Sequence, residues 1–230
     1  MWIVTSLKGK VSSFECYNDD LMPERRDAEF HHLIGGVLCL DFANTLYGHQ
    51  DPIHEYLYDY RDLVLWSRHA GQLTPARAED LLEYGRQVPN ESARIFQHAI
   101  DLRELIFRVF SNLAKGHTPA ETDLDRLHQS WLESHVHSRF VQKKKGFILD
   151  WEEGSAGDVV LWPIIQSAVV VLTSQEVSRV KQCDRCDWLF LDMSRNRSRR
   201  WCSMSACGNR VKMARRYRRT RQDDPLSQSS

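Results

Sequence analysis

The chain has 230 residues, of which 42% are hydrophobic and 27% charged, fractions that are ordinary for a globular protein of one or two domains. The longest apolar-rich stretch, residues 159–172, contains Pro163 and is shorter than the roughly 18 residues of a membrane-spanning helix. Because the first residues also lack the order of a signal peptide, we expect a cytoplasmic protein with no membrane partner. The net charge is zero, but residues 183–221 carry twelve Lys or Arg against three Asp, a net +9, so the remainder carries −9. Such asymmetry is typical of a nucleic-acid or membrane contact at the basic end, and since no membrane partner is expected, we predict nucleic acid.

The N-terminal part contains a leader and one apolar segment. Residues 1–27 show no clear periodicity, which predicts an irregular leader. A glycine pair then opens the apolar run GGVLCLDFANTL, residues 35–46. A run of this length is compatible with a strand that leads into a helix or with a buried helix, and periodicity does not separate the two.

From this segment to about residue 134 the pattern is helical. The segment YRDLVLWSRHAGQL has helical spacing of its apolar residues, and Gly71 marks its end. Thr74, followed by a proline, predicts the N-cap of the next helix. The strongest helix is predicted at residues 93–116, where apolar residues form a broad stripe. Thr118, again followed by a proline, predicts one more capped helix.

The segment between this helical region and the C-terminus changes character. Residues 138–153, SRFVQKKKGFILDWEE, predict a β-hairpin, because two partly alternating runs flank a lysine–glycine turn. Residues 159–172 predict a buried helix. Ser174 can cap a short connecting helix at residues 173–182, and the polar residues 222–230 are predicted to be a disordered tail.

Four of the six cysteines fall within 25 consecutive positions: Cys183, Cys186, Cys202 and Cys207. Their spacing is C-x2-C, then fifteen residues, then C-x4-C. In a cytoplasmic protein such a cluster indicates a metal site rather than two disulfides. Zinc favours four ligands that include thiolates, and closed all-cysteine sites are structural, so we predict one structural Zn²⁺ ion, with iron as an alternative.

The cysteine segment resembles a known family. CDRCDWLFLDMSRNRSRRWCSMSACGNRVKMARRYRR resembles the CGNR zinc finger, named for the residues that stand here at 207–210. The body at 28–172 resembles the ABATE domain that precedes that finger, through LCLDFANT, LRELIFRVF, the hairpin ending in LDW, and the LTS-x-E-x-x-RV-x-x-C junction. The resemblance implies a bacterial transcription regulator. Together with the patterns above it predicts a mainly α fold with a small β-hairpin, in which a helical N-terminal domain precedes a small treble-clef-like zinc finger at 183–221 that ends in a basic helix.

The finger contains the candidate nucleic-acid contacts. A helix that begins near Cys207 would place four cations within an arc of about 100° and apolar residues opposite them. The loop SRNRSRRW adds four arginines, and arginine and asparagine suit phosphates and base edges. The candidates are Arg195, Arg197, Arg199, Arg200, Asn209, Arg210, Lys212, Arg215, Arg216 and Arg219.

Three alternatives to DNA contact stay open for these residues. The charged run can be a solvated face, or it can bind RNA or an acidic protein. Some of the arginines can also be structural. Arg200 and Arg210 can pair with nearby aspartates or backbone carbonyls, and Asp192 is expected to brace the loop.

The body contains few candidates for chemistry. Polar groups within the apolar LCLDFANT segment need partners, and Asp41, Asn44 and Arg103 can line a pocket for a small polar or anionic effector. They can equally be a buried ion pair or helix caps. Cys39 lies among apolar residues and is expected to be an inert core thiol.

Three functional hypotheses follow from the sequence. The first is a DNA-binding transcription regulator whose body senses a ligand or forms a homodimer. The second is an interaction module whose finger binds RNA or an acidic protein surface. The third is an enzyme with its active site in the body, but the sequence has no G-x-S-x-G, no phosphate-binding glycine loop and no H-E-x-x-H, so we expect no enzymatic activity.

Overall fold

The structure is a computed structural model and describes residues 30, 33–47, 54–144, 146–151 and 157–213. The predicted leader and tail, and the cations Arg215, Arg216 and Arg219, therefore lie outside the described residues.

The described chain is mainly helical, as predicted. Its α-helices are α1 (Leu38–Ala43), α2 (Tyr60–His69), α3 (Pro75–Gln87), α4 (Pro89–Ala114), α5 (Glu121–His135) and α6 (Trp162–Thr173). Its strands are β1 (Leu46–Tyr47), β2 (His54–Glu55), β3 (Ser138–Lys143), β4 (Gly146–Trp151), β5 (Val180–Gln182) and β6 (Leu189–Leu191). The strands pair in chain order as three two-stranded antiparallel sheets. No helix in the described ranges is long and apolar enough to cross a membrane.

The apolar segment 35–46 forms the short helix α1. Gly36 has a φ of +81°, a conformation that glycine adopts without strain, and Val37 is extended before the helix begins. Five of the six helical residues are buried, and α1 packs against α4 and α6. This burial is why the segment showed no amphipathic period: a helix covered on all sides is apolar all round.

The boundaries of the long helices follow capping chemistry in part. The Thr74 hydroxyl accepts a hydrogen bond from the Arg77 amide at 3.2 Å, as predicted for an N-cap. Helix α4 begins at Pro89, earlier than predicted, because proline fits the first helical turn. The capped start at Thr118 is wrong: α5 begins at Glu121 after Ala120, which makes no side-chain cap.

The connecting helix predicted at 173–182 is present only in part. Ser174 caps a helical turn, since its hydroxyl accepts from the Glu176 amide at 3.2 Å, but that turn is a 3-10 helix of five residues, Gln175–Arg179. The chain then enters β5, which pairs with β6 from Val180↔Leu191 to Gln182↔Leu189. The backbone groups of residues 180–182 are used by this ladder and are not available for a helix.

One continuous apolar core is formed around α4. The side chains of Ile95, Ala99, Ile106, Val109 and Phe110 are at most 1% exposed, so the predicted stripe is the buried face of α4. The same core includes Val180, Leu189 and Leu191 of the C-terminal strands. The finger therefore packs against the body and shares its core, rather than being connected to it by a linker alone.

Candidate metal centre and nucleic-acid interface

Local backbone turns bring the four clustered cysteines together. Strand β5 ends directly before Cys183, and the Cys183 amide donates to the Trp188 carbonyl at 2.8 Å, which closes a tight turn around the first pair. Asp187 adopts a φ of +62° in this turn. The second pair is held by a π-helical turn, Met204–Gly208, in which the Gly208 amide donates to the Ser203 carbonyl at 3.0 Å.

The four sulfurs have the spacing of a tetrahedral zinc site. All lie within 4.8 Å of one another, and Sγ of Cys202 lies 3.5 Å from that of Cys186 and 3.7 Å from that of Cys207. Sulfurs about 2.3 Å from a zinc ion would form a tetrahedron with edges of about 3.8 Å. The pKa of Cys183 lies below its usual value because the other three thiols donate to its sulfur, so the cluster favours a thiolate. These are free thiols rather than disulfides, and they fit one structural Zn²⁺ ion.

The zinc centre lies in a small apolar cluster. The cysteines are buried with Trp188 and Phe190, and Ile34, Tyr56 and Trp201 pack against them. Two buried aromatic side chains are too few for an independent core, so the metal supplies stability that this segment lacks.

Strand β6 connects this cluster to the body core, because its successive side chains point to opposite faces of the strand. Leu189 and Leu191 lie in the body core, whereas Phe190 between them lies in the zinc cluster. The Leu191 amide donates to the Gly35 carbonyl at 2.8 Å. A Cβ on Gly35 would lie 2.7 Å from the backbone nitrogen of Asp41, so only glycine fits between α1 and β6 without a shift.

Asn44 is the main polar contact of this junction. Its Nδ2 donates to the Leu189 carbonyl at 2.8 Å, and its Oδ1 accepts from the Leu189 amide at 2.8 Å. Nearby, Nε1 of Trp188 donates to the Leu46 carbonyl at 3.1 Å. Asn44 is thus a junction residue that mimics a strand neighbour for β6, a role that sequence reasoning missed because its partner is 145 positions away.

The other two candidates for an effector pocket also have partners within the protein. Arg103 is 2% exposed and forms a bidentate pair with Glu55, with nitrogen–oxygen distances of 2.6 and 2.7 Å. Asp41 accepts from the Gly35 amide at 2.7 Å. Asp41 and Asn44 line one small cleft with Trp188, but Arg103 is not among its lining residues, so the three candidates are not brought together. The buried ion pair considered for Arg103 exists, with Glu55 in place of Asp41.

Burial determines the protonation of two groups in α1. Desolvation raises the pKa of Cys39 to about 12, which agrees with an inert core thiol. Desolvation also raises the pKa of Asp41 to about 7, although the Gly35 and Ile34 amides donate to its carboxylate and act against that rise.

We expect Asp41→Asn to remove a pH-dependent loss of stability. Because the folded-state pKa of about 7 exceeds the usual 3.8, the ionisation of Asp41 lowers the free energy of unfolding as pH rises through this interval, and its contribution is constant above it. Urea titrations between about pH 4 and about pH 8 measure the free energy of unfolding of the wild type and of the variant. Titration of the zinc thiolates affects both proteins equally and cancels in the difference between them. The stability of the variant relative to the wild type should increase as pH rises. A difference that does not change with pH contradicts the raised pKa of Asp41.

The arginine loop that follows β6 is braced from beneath by Asp192, as predicted. Its fully buried carboxylate accepts from the Ser194 hydroxyl at 2.6 Å and the Arg199 amide at 3.0 Å, and it pairs with Lys181 at 2.9 Å. Although burial opposes the charge, these hydrogen bonds hold the pKa of Asp192 below its usual range. Lys181 also donates to the carbonyls of Arg197 and Arg199. Lys181 was not among the candidates, because a single lysine in a strand carries no signal of this role.

The predicted nucleic-acid residues differ in their exposure and in their contacts within the finger. The Arg199 guanidinium lies over the Phe190 ring, 4.7 Å from its centre, and donates to the Cys202 carbonyl. Arg200 pairs with Asp184 at 2.6 Å, one of the structural roles left open above. Arg200 nevertheless has a side chain that is 63% exposed. The exposed candidates are therefore Arg195, Arg197, Arg200, Asn209, Arg210 and Lys212, and Arg185 in the first cysteine turn is exposed as well. Residues 209–213 are helical, so the predicted basic helix does begin after Cys207.

Comparison with known families assigns both parts of the chain. A model of the ABATE family, described as "Putative stress-induced transcription regulator", matches residues 36–175, more than half of the chain. A model of the CGNR zinc finger matches residues 179–220. Comparison with curated proteins gives no match. The chain therefore belongs to the ABATE family, and its CGNR zinc finger contains one structural zinc site.

Proposed function

We propose that this protein is a zinc-dependent, DNA-binding transcription regulator that acts by binding and not by catalysis. The observation that carries the proposal is the set of exposed cations on a rigid, zinc-held frame: Arg195, Arg197, Arg210 and Lys212. Guanidinium groups on such a frame suit phosphate oxygens, and Asn209 beside them can contact a base edge. A zinc ion with four thiolate ligands has no open position for a substrate, which supports a structural role for the metal.

The bracing of the loop supports the same proposal. The buried Asp192 carboxylate and the partly buried Lys181 hold the loop backbone, and the Arg199 guanidinium packs over Phe190 of the finger. The exposed side chains Arg195 and Arg197 are thus presented from a fixed backbone. Preorganised donors lose less conformational entropy when they bind than donors on a mobile loop.

The body has the regulatory part in this proposal. It senses a small effector or forms a homodimer, and either event reaches the finger through the shared core and the Asn44–Leu189 contact. A single finger offers few base contacts, so we expect useful discrimination between DNA sequences to need a second contact.

The test is a salt titration of duplex DNA binding by the zinc-loaded full chain. The triple variant Arg195→Gln, Arg197→Gln and Lys212→Gln should bind at least tenfold more weakly at low salt, and its log–log salt slope should be shallower by about two to three. The matched control replaces Arg86, Arg94 and Lys115, exposed cations of the body, by Gln. The ion pairs of Arg86 and Arg94 are exposed and contribute little to stability, so the control should bind as the wild type does.

Two outcomes decide against this function. If the zinc-loaded chain does not bind duplex DNA at low salt, the DNA proposal is wrong. If it binds single-stranded RNA more tightly than duplex DNA, and its affinity increases with RNA length but does not depend on RNA sequence, the interaction-module alternative is favoured.

A further inference from the structure

The β3–β4 hairpin exposes two aromatic rings. The side chains of Phe140 and Phe147 are 78% and 68% exposed. In the antiparallel register Phe140 is paired with Leu149 and Gln142 with Phe147. Since side chains alternate between the faces of a strand, both phenylalanines lie on the same face of the hairpin. Aromatic rings this exposed on one face indicate an interaction surface rather than a core.

The same hairpin has a positive net charge, whereas the rest of the body is acidic. Residues 138–151 contain four Arg or Lys and one Asp, a net charge of +3, whereas the chain outside 183–221 carries −9. Lys143 and Lys144 are exposed at the end of the hairpin, and by the same alternation Lys143 lies on the face opposite the two phenylalanines. A ribbon that carries cations at its end and exposed aromatic rings on one face suits a polyanion whose apolar groups are accessible, and nucleic acid has both properties.

A second copy of this chain is a poorer fit than DNA. In a symmetric dimer formed through the hairpins, the lysines of one copy would approach those of the other. Lysine on an exposed edge is also a common means of preventing strand-to-strand association. A two-stranded ribbon is narrow enough to enter the major groove of B-DNA, and phenylalanine side chains can also wedge between base steps from the minor groove.

Helix α6 separates the hairpin from the finger. Trp162, the first residue of α6, stacks on His137 next to β3, with ring centres 4.9 Å apart. The other end of α6 leads through the 3-10 turn into β5 and the finger. Twelve helical residues span about 18 Å, or about half a helical turn of DNA. The two basic regions of one chain can therefore contact different positions of one site.

We propose that the β3–β4 hairpin is a second duplex-DNA contact, in which Lys143 and Lys144 bind phosphates and Phe140 and Phe147 contact bases in a groove. This inference rests on the proposed function, since it supplies the second contact that a single finger needs. The hairpin and the finger act on one duplex, so their contributions combine as in a bivalent ligand.

The experiment measures the binding of a duplex of about 30 base pairs, three helical turns, by the zinc-loaded full chain at several salt concentrations. Lys143→Gln with Lys144→Gln should make the log–log salt slope shallower by about two. Phe140→Ser with Phe147→Ser should weaken binding about tenfold and leave the slope unchanged, because rings on bases release no counterions. The control Tyr58→Ser with Lys115→Gln removes an equally exposed aromatic ring and a cation from elsewhere on the body and should change neither.

Each result separates this inference from the function on which it rests. If both hairpin variants bind as the wild type does while the finger triple variant is weakened, the hairpin inference fails and the proposed function stands. If no form binds duplex DNA, the proposed function itself has failed. If the phenylalanine variant converts a dimer to a monomer by sedimentation velocity and the lysine variant retains the wild-type salt slope, the hairpin face is an interface between copies and this inference is overturned.

Discussion

Replacing Cys202 by Ser is expected to abolish zinc binding and to destabilise the whole described chain, not the finger alone. The thiol of Cys202 lies within 3.7 Å of two other cysteine sulfurs, so its loss opens the tetrahedron. A structural zinc ion contributes on the order of 10 kcal/mol to a finger that lacks its own core. Because β6 places Leu189 and Leu191 in the body core, losing the zinc ion also destabilises the body.

The measurement is zinc content by elemental analysis together with thermal unfolding followed by far-UV circular dichroism. A loss of several kcal/mol lowers the unfolding midpoint of a chain of this length by roughly 10 °C. Cys39→Ala is the matched control, since it removes a buried thiol outside the cluster and should retain one zinc ion per chain. If Cys202→Ser loses zinc while the midpoint of the body is unchanged, the body and the finger fold independently and the shared core does not couple them.

Asn44→Ala is expected to reduce the free energy of unfolding by about 2–5 kcal/mol and to accelerate zinc release. The variant leaves both the N–H and the carbonyl of Leu189 buried without partners, and each unsatisfied group costs about 1–3 kcal/mol. Leu189 lies three positions after Cys186, so a loosened β6 also loosens the cysteine turn. Urea unfolding and zinc transfer to a chromophoric chelator measure the two effects.

Two further variants test whether hydrogen bonding is the cause. Asn44→Asp has nearly the same volume but places an acceptor opposite the Leu189 carbonyl, so it should not restore stability. Asn112→Ala removes a carboxamide that donates to the Arg108 carbonyl on the exposed surface of α4, and it should have little effect. If Asn44→Ala behaves like Asn112→Ala, the junction does not depend on this side chain.

Features whose partners are close along the chain could be predicted from the amino-acid sequence. The zinc ligands were predictable because two short cysteine pairs can form their turns locally. The stripe of α4, the N-cap at Thr74 and the β3–β4 hairpin follow from periodicity and turn chemistry over a few residues. The connecting helix was predicted too long, because strand β5 at residues 180–182 depends on pairing with β6, which local propensity does not include.

The roles of the polar residues depend on contacts between segments that are distant along the chain. Asn44 and Leu189 are 145 positions apart, and Arg103 and Glu55 are 48 apart, so no periodic pattern relates them. Arg195 and Arg199 are arginines of the same loop, yet Arg195 is exposed whereas Arg199 lies over Phe190. A buried polar group must find a partner, and which partner it finds depends on how the helices pack against the zinc-held strands.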